Sequence, residues 1–239
     1  MQQKILILST LILSVLFTSC IFSPSIKGNG NVVKQTRSLH DFETIKVSRG
    51  MNVYISQGST TRVIIEADEN LLKVIETEVN DGVLKISCKA NIKRAKSKKV
   101  FVSVPNLERI SATAGSNIFS ETLLDFKELD ISASAGSNIN LEIKTGSCSA
   151  SASSGSNIKL NGKTKSINAK ASSGSNIQSG KLKSANCKAK VSSGANIWVS
   201  ANKSLSGDAS SDGNIFYYGN PDDTDINLSS GGNVIKKDS

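Results

Sequence analysis

Seven near-copies of one short motif, Gly-x-Asn-Ile, recur at an almost constant interval through the second half of this chain and leave few folds open to it. Aligned on the asparagine they fall at Asn117, Asn138, Asn157, Asn176, Asn196, Asn214 and Asn233, at intervals of 21, 19, 19, 20, 18 and 19 residues. A fixed period near twenty marks a solenoid, in which each repeat is one turn of chain that buries its apolar face only by stacking on its neighbours.

The columns of the alignment say which solenoid. Seven residues before the asparagine stand Ile110, Ile131, Ala150, Ala169, Ala189, Gly207 and Ile226, and five before it Ala112, Ala133, Ala152, Ala171, Val191, Ala209 and Leu228. Three before stand Ala114 and Ala135, then Ser154, Ser173, Ser193, Ser211 and Ser230; one after stands an isoleucine in six copies and Val234 in the last. Small or apolar residues at every second place, with Ser, Lys or Asn between, have the period of strands rather than helices. The Leu-x-x-Leu-x-Leu frame of a leucine-rich repeat is absent. The reading is an all-β chain, a β-solenoid of about seven coils whose strands stack in parallel and in register.

Within that frame the motif has a mechanical role. The glycine two places before the asparagine (Gly115, Gly136, Gly155, Gly174, Gly194) is expected to turn a corner that a residue with a Cβ resists. The asparagines should form a ladder at the strand spacing of about 4.8 Å, their amides bonded from coil to coil. The isoleucine plugs a slender interior, in keeping with an aromatic content of 5%. The serine column three before the asparagine could line that interior or face water. An exposed Asn/Ser array could also contact a regular ligand lattice, but the ladder explains the same residues without one.

From Asn31 to Pro105 the texture changes. Segments 42–47, 51–55, 62–66, 83–86 and 100–104 read as strands separated by Ser-Arg-Gly, Gln-Gly-Ser and Asn-Asp-Gly turns, with a brief helical turn in 68–75. This region, 31–105, is expected to cap the solenoid of 106–239 and shield its first unpaired edge.

The first residues carry an address. MQQKILILSTLILSVLFTSC has one early lysine and an apolar run from Ile5 to Phe17, shorter than the roughly 20 residues of a membrane span. Leu16-Phe17-Thr18-Ser19-Cys20 has the form of a bacterial lipobox, so residues 1–19 are expected to be a lipoprotein signal peptide, Cys20 the acylated new N-terminus, and 20–30 a tether. Several acyl chains make a stable anchor where one does not. Loss of residues 1–19 removes Lys4 and no acid, so the formal charge of +9 becomes +8. On an exported chain such basicity points to acidic glycans or lipid phosphates rather than nucleic acid.

The ordered segments DFETIKVSRGMNVYISQG, RVIIEADENLLKVIETEVNDGVLKIS and VFVSVPNLERISATAGSNI, followed by the repeats, resemble the bacterial head GIN domain family, a family of autotransporter adhesins frequent among Bacteroidota lipoproteins. The resemblance covers about 42–234. It implies a two-part β fold with a right-handed parallel β-solenoid-like stack, and adhesion at the cell surface or in the periplasm; it implies no catalytic residues.

The chain carries few residues suited to catalysis or metal binding. His40 is the only histidine and sits beside Asp41 before the first predicted strand. Between Asn138 and Ala201 the only acid is Glu142, so that stretch cannot build the carboxylate pair of a glycan hydrolase. Asp208, Asp212, Asp222, Asp223 and Asp225 lack a calcium-loop frame and read as solvated turns. Cys88, Cys148 and Cys187 give an odd count, and Cys148 and Cys187 share a column two coils apart, too far for a disulfide. Trp198 and Phe216-Tyr217-Tyr218 are expected to close the end of the core, with sugar stacking as the alternative. The densest charge, Lys93, Arg94, Lys96, Lys98 and Lys99, is a solvated hairpin loop or an anionic-ligand patch, supported in the second reading by Lys163, Lys165, Lys181, Lys183, Lys188 and Lys190.

The expected function is a non-enzymatic envelope lipoprotein, an adhesin or binding module for acidic polysaccharide or another envelope component, needing no cofactor or metal. Its expected place is the outer membrane. The alternative is a structural or stress-linked periplasmic lipoprotein without an external ligand, and the least favoured reading is a polysaccharide-active β-helix enzyme.

Overall fold

A computed structural model describes residues 25–238; the expected signal peptide and Cys20 lie outside them. The described chain runs through β1 (Ser25–Lys27), β2 (Val32–Arg37), β3 (Thr44–Val47), β4 (Asn52–Gln57), β5 (Arg62–Asp68), β6 (Ile75–Asn80), β7 (Val83–Cys88), β8 (Asn91–Arg94) and β9 (Lys98–Val104). It continues through β10 (Arg109–Ala112), β11 (Asn117–Ser120), β12 (Leu124–Ala133), β13 (Asn138–Ala152), β14 (Asn157–Ala171) and β15 (Asn176–Val191). The last strands are β16 (Asn196–Ser200), β17 (Ser204–Ala209), β18 (Asn214–Tyr218), β19 (Asp223–Leu228) and β20 (Asn233–Lys236). A single 3-10 turn, Glu69–Leu71, follows β5.

The repeats form a parallel β-solenoid. Ile110, Ile131, Ala150, Ala169, Ala189, Gly207 and Ile226 pair in register from coil to coil as one column. Each coil buries alternate residues along one wall, slips phase once, and buries alternate residues along the other. In β13, Ile139, Leu141, Ile143 and Thr145 are buried, then Cys148, Ala150 and Ala152, so the slip falls at Gly146–Ser147. The walls lie close because small residues oppose large ones: a methyl added at Gly207 would sit 3.6 Å from the Cδ1 of Ile215 in its own coil.

The other corner departs from the expected alternation. The serines three before the asparagine do not line the interior; Ser154 and its equivalents are exposed, with φ of 52° at Ser154 and 68° at Gly155. Two successive left-handed residues, both exposed, turn the corner without changing the phase, and the residue immediately before the asparagine resumes the inward column of Ala152. Ser116, Ser137, Ser156 and Ser175 are fully buried there. The Ser156 hydroxyl donates to the Ala133 carbonyl of the preceding coil (2.8 Å) and accepts from the Ser153 N–H (3.1 Å). The left-handed serine costs about 1–2 kcal/mol, offset by a backbone ladder in which Gly136 N–H donates to the Ser154 carbonyl and Gly155 N–H to that of Ser173.

Beside this corner runs the asparagine ladder. Each Nδ2 donates to the Oδ1 of the preceding coil at 2.9–3.1 Å, from Asn233 back through Asn214, Asn196, Asn176, Asn157 and Asn138 to Asn117. The ladder has one further rung, Asn117 to Asn52 at 2.9 Å. Asn157→Ala should therefore lower stability by about 1–2 kcal/mol, because the Asn176 amide loses its acceptor and the Asn138 oxygen its donor in a half-buried row. Urea denaturation of the two proteins checks this.

Asn52 belongs to the ladder because the stack continues into the N-terminal region. Ser48-Arg49-Gly50-Met51-Asn52-Val53 is the same corner, with φ of 57° at Arg49 and 68° at Gly50, and β3 and β4 pair in parallel with β10 and β11. Beyond them β7 and β9 form one more parallel layer, in which residues 89–97 replace the tight corner. On this layer lie antiparallel strands, β6 on β7 and β5 on β9, with β2 outermost on β5. Reversing strand direction there ends the parallel stack at the N-terminal side, as a cap should.

Cys148 and Cys187 flank Ile167 in register, and with Cys88 are free and buried. Burial pushes both the Cys148 and Cys187 thiols up to about 12, so they remain protonated and act as small apolar filling.

Candidate functional site: a lysine-lined aromatic groove

The outer surface of the solenoid is regular except where the repeat length changes. Between the pairs Lys159–Gln178 and Asn161–Lys181, β15 carries one more residue than β14. This bulge accounts for the interval of 20 between Asn176 and Asn196, and the next interval is 18. A bulge leaves a residue unpaired and re-aims its neighbours. Here the site is Gly180, over which the Tyr218 ring lies: a methyl on Gly180 would stand 2.6 Å from Cε2 of that ring.

Trp198 and Phe216 occupy the outward column two after the asparagine, in register with Lys159 and Gln178. Their rings stack with centroids 5.0 Å apart and 19° between planes. The Lys237 ammonium lies 5.1 Å from the Phe216 centroid. Both rings are therefore on the outside of the coil wall, half-buried, and do not close the end of the core as expected from the sequence. Tyr217, pointing the other way, packs against the core.

Bulge and aromatics together bound a groove of about 800 Å³. Lys159, Lys181 and Lys183 stand along it beside Trp198 and Tyr218, and Asn161, Gln178 and Asn202 offer amides. No carboxylate lines it. Lys183 also pairs across strands with Lys163, and Lys163 with Lys144. Of these only Lys144 is neutralised among the described residues, by Asp125 at 2.7 Å. Like charges on adjacent strands repel, so the groove keeps an unneutralised positive potential beside flat aromatic faces. Such a surface suits a sugar ring on the aromatics with an acidic substituent near the ammonium groups. Trp198, Lys181 and Lys183 were visible in the sequence as separate features, and Lys159 was not singled out; the interval of 20 made by the bulge at Gly180 was the signal that joins them.

The basic cluster of the first half divides in two. Lys93, Arg94 and Lys96 are exposed on the segment that replaces the corner, while Lys98 and Lys99 begin β9 and are half-buried. Lys99 approaches Glu66 (3.8 Å) and lies 5.8 Å from the Tyr54 ring. Behind the loop sits Asp68, 1% exposed, which sequence reasoning passed over. Its carboxylate accepts the N–H groups of Gly30 (2.9 Å), Lys96 (3.0 Å) and Ser97 (2.9 Å). Burial alone would push this carboxyl up; the three backbone donors outweigh it and hold it below its ordinary value.

His40 is exposed, and its neighbour Asp41 accepts a hydrogen bond from Thr61. Among the described residues no three His, Cys, Asp or Glu side chains converge as metal ligands, the C-terminal aspartates included.

Solved structures share this architecture. One described as a putative adhesin from Bacteroides fragilis superposes with a TM-score of 0.81 at 21% identity, over 90% of this chain and 100% of that one. A putative adhesin from Parabacteroides distasonis gives 0.74 at 20% identity, over 89% and 100%. A putative lipid binding protein from the same organism gives 0.69 at 19% identity, over 89% and 99%. At these identities the likeness is one of fold. No curated protein matches the chain. Residues 41–221 match the family described as "Putative auto-transporter adhesin, head GIN domain", a span that takes in both the capped N-terminal layers and most of the repeats, and the chain belongs to that family.

Proposed function

We propose that this protein is a non-enzymatic binding module of the bacterial envelope, anchored through acylated Cys20, that holds acidic polysaccharide in the groove between Lys181, Lys183, Trp198 and Tyr218. The observation that carries this reading is the groove itself. It lies where a bulge lengthens one repeat, and the bulge sets aromatic rings beside uncompensated lysines. The adhesin description of the family agrees with it. A lining without carboxylates lacks the acid pair by which most glycoside hydrolases cleave.

Trp198 is the only tryptophan in the chain, so its emission reports directly on occupancy. Titration with polyuronates and sulfated glycans should shift that emission, and binding should weaken as salt rises. Lys181→Ala with Lys183→Ala should weaken binding about tenfold at low salt, because two exposed cations facing an anionic polymer are lost together. Calorimetry on the same pair, and on Trp198→Ala, checks the affinity independently of fluorescence. Undiminished binding by both variants, or no retention of any acidic polymer, would sink the proposal; appearance of shortened glycan chains would return the enzyme reading.

A further inference from the structure

We infer that the loop bearing Lys93, Arg94 and Lys96 is a membrane-contact surface, seated on the anionic lipid headgroups of the bilayer that carries Cys20. The inference rests on the anchor reading for Cys20 and is independent of what the distant groove binds.

Connectivity supports it first. β1, the first described strand, pairs in parallel with β8 of the loop, Ser25 opposite Asn91, Ile26 opposite Ile92 and Lys27 opposite Arg94. The Gly28 N–H then donates to the Arg94 carbonyl at 2.8 Å, and Asp68 clamps Gly30 on one side and Lys96 and Ser97 on the other. The tether is thus strapped to the basic loop. Five residue steps separate Cys20 from Ser25, and an extended chain reaches at most about 3.6 Å per residue, so Ser25, one strand away from the loop, lies within roughly 18 Å of the acylated residue.

Charge supports it next. Lys27, Lys93, Arg94 and Lys96 are exposed and form no ion pair among the described residues. Beside them a depression of about 410 Å³ is lined by Arg49, Lys89 and Lys98. The acids nearby are largely committed: Asp68 to backbone, Glu76 to Lys89 at 2.9 Å, and Glu66 to Lys34 and Lys99. Glu69, exposed and bonded to Asn31, and the exposed Glu78, whose charge reaches Lys89, subtract from the patch. A basic surface confined by its tether to the neighbourhood of a bilayer meets headgroup phosphate at high local concentration, which a free anion does not.

The geometry has a further consequence. From β9, at the strapped end, to β16, which carries Trp198, there are six strand-to-strand steps through β4, β11, β13, β14 and β15. At about 4.8 Å per step the groove stands roughly 29 Å along the stack from the membrane-facing layer.

The test uses the full mature chain carrying Cys20→Ser, which removes acylation, in co-sedimentation with vesicles. Binding is expected to vesicles of phosphatidylcholine mixed with phosphatidylglycerol and not to phosphatidylcholine alone. Replacing Lys93, Arg94 and Lys96 together by Ala should weaken it on the order of 100-fold, at roughly fivefold per surface cation. The pair Lys170→Ala and Lys190→Ala, exposed lysines in mid-stack, should change it little. Equal binding to both vesicle types, equal loss in the mid-stack variant, or full competition by inorganic phosphate matched to the lipid phosphate would each overturn the inference. Palmitate labelling of the unmodified chain, and its loss in Cys20→Ser, reports separately on the anchor.

Discussion

Replacing Ala169 by aspartate is expected to remove at least about 4 kcal/mol of folding stability and to open the solenoid in its middle. Ala169 is fully buried, in register between Ala150 and Ala189. In the same column a methyl at Gly207 would stand 3.5–3.6 Å from Val234 and Ile215, so the opposite wall leaves no room for water to follow a carboxylate inward. No cation shares that column, and the charge would be buried without a partner. Ala169→Gly, which copies what the chain already places at Gly207, should cost only about 1 kcal/mol. Thermal and urea melts followed by circular dichroism separate the two variants. Because each coil touches only its neighbours, hydrogen exchange should show protection lost first in β13, β14 and β15. Uniform loss across all strands would mean that the stack folds as one unit rather than as coupled layers.

The second large effect is expected at Asp68. Asp68→Ala strands three backbone N–H groups that now donate to a carboxylate, and should cost about 3 kcal/mol. The damage should concentrate in the strap and the basic loop, which lose their common acceptor. Limited proteolysis between residues 25 and 31 and between 91 and 97 would show it as faster cleavage, with the repeats unchanged. The folded carboxyl is held below its ordinary value, so its contribution is complete above the unfolded value of about 3.9 and disappears as pH falls through the lower, folded value. Between pH 5 and 8 the strap should therefore be insensitive to pH, and should loosen only in acid below about pH 4. Asp68→Asn should be less stable at neutral pH and should lack this acid step. Strap cleavage that rises already near pH 6 would contradict the assignment.

Much of this was legible in the residues, for reasons that can be located. The asparagine column was readable because an amide ladder needs the same side chain at the same place in every coil, and repetition is what a single sequence displays best. The corner glycine was readable because few other residues tolerate its φ. The serine three before the asparagine was not, since it falls in phase with the inward residues on either side of it; the paired left-handed residues turn it out, and the inward column resumes at Ser156. Asn52 escaped for a different cause. Its corner reads Ser-Arg-Gly-Met-Asn-Val, and without the serine and isoleucine of the other copies it looked like a hairpin turn.

The groove and the strap show where pattern stops. Trp198 reads as core filling because an aromatic residue near the end of a thin solenoid has an obvious place to go, yet it stands one place after the inward Ile197, in the outward column of Lys159 and Gln178. Asp68 reads as the start of a helical turn, because the three donors that hold it come from residues 30, 96 and 97.

Period and composition, local properties repeated along the chain, determined that it would coil in parallel strands around a narrow filling of alanine and isoleucine. Tertiary structure alone decided which lysines meet which rings, how strands from before and after residue 62 interleave into one stack, and that the tether lies against the basic loop. Those outcomes depend on contacts between residues far apart in sequence, and neither their types nor their spacing carries the register that brings them together.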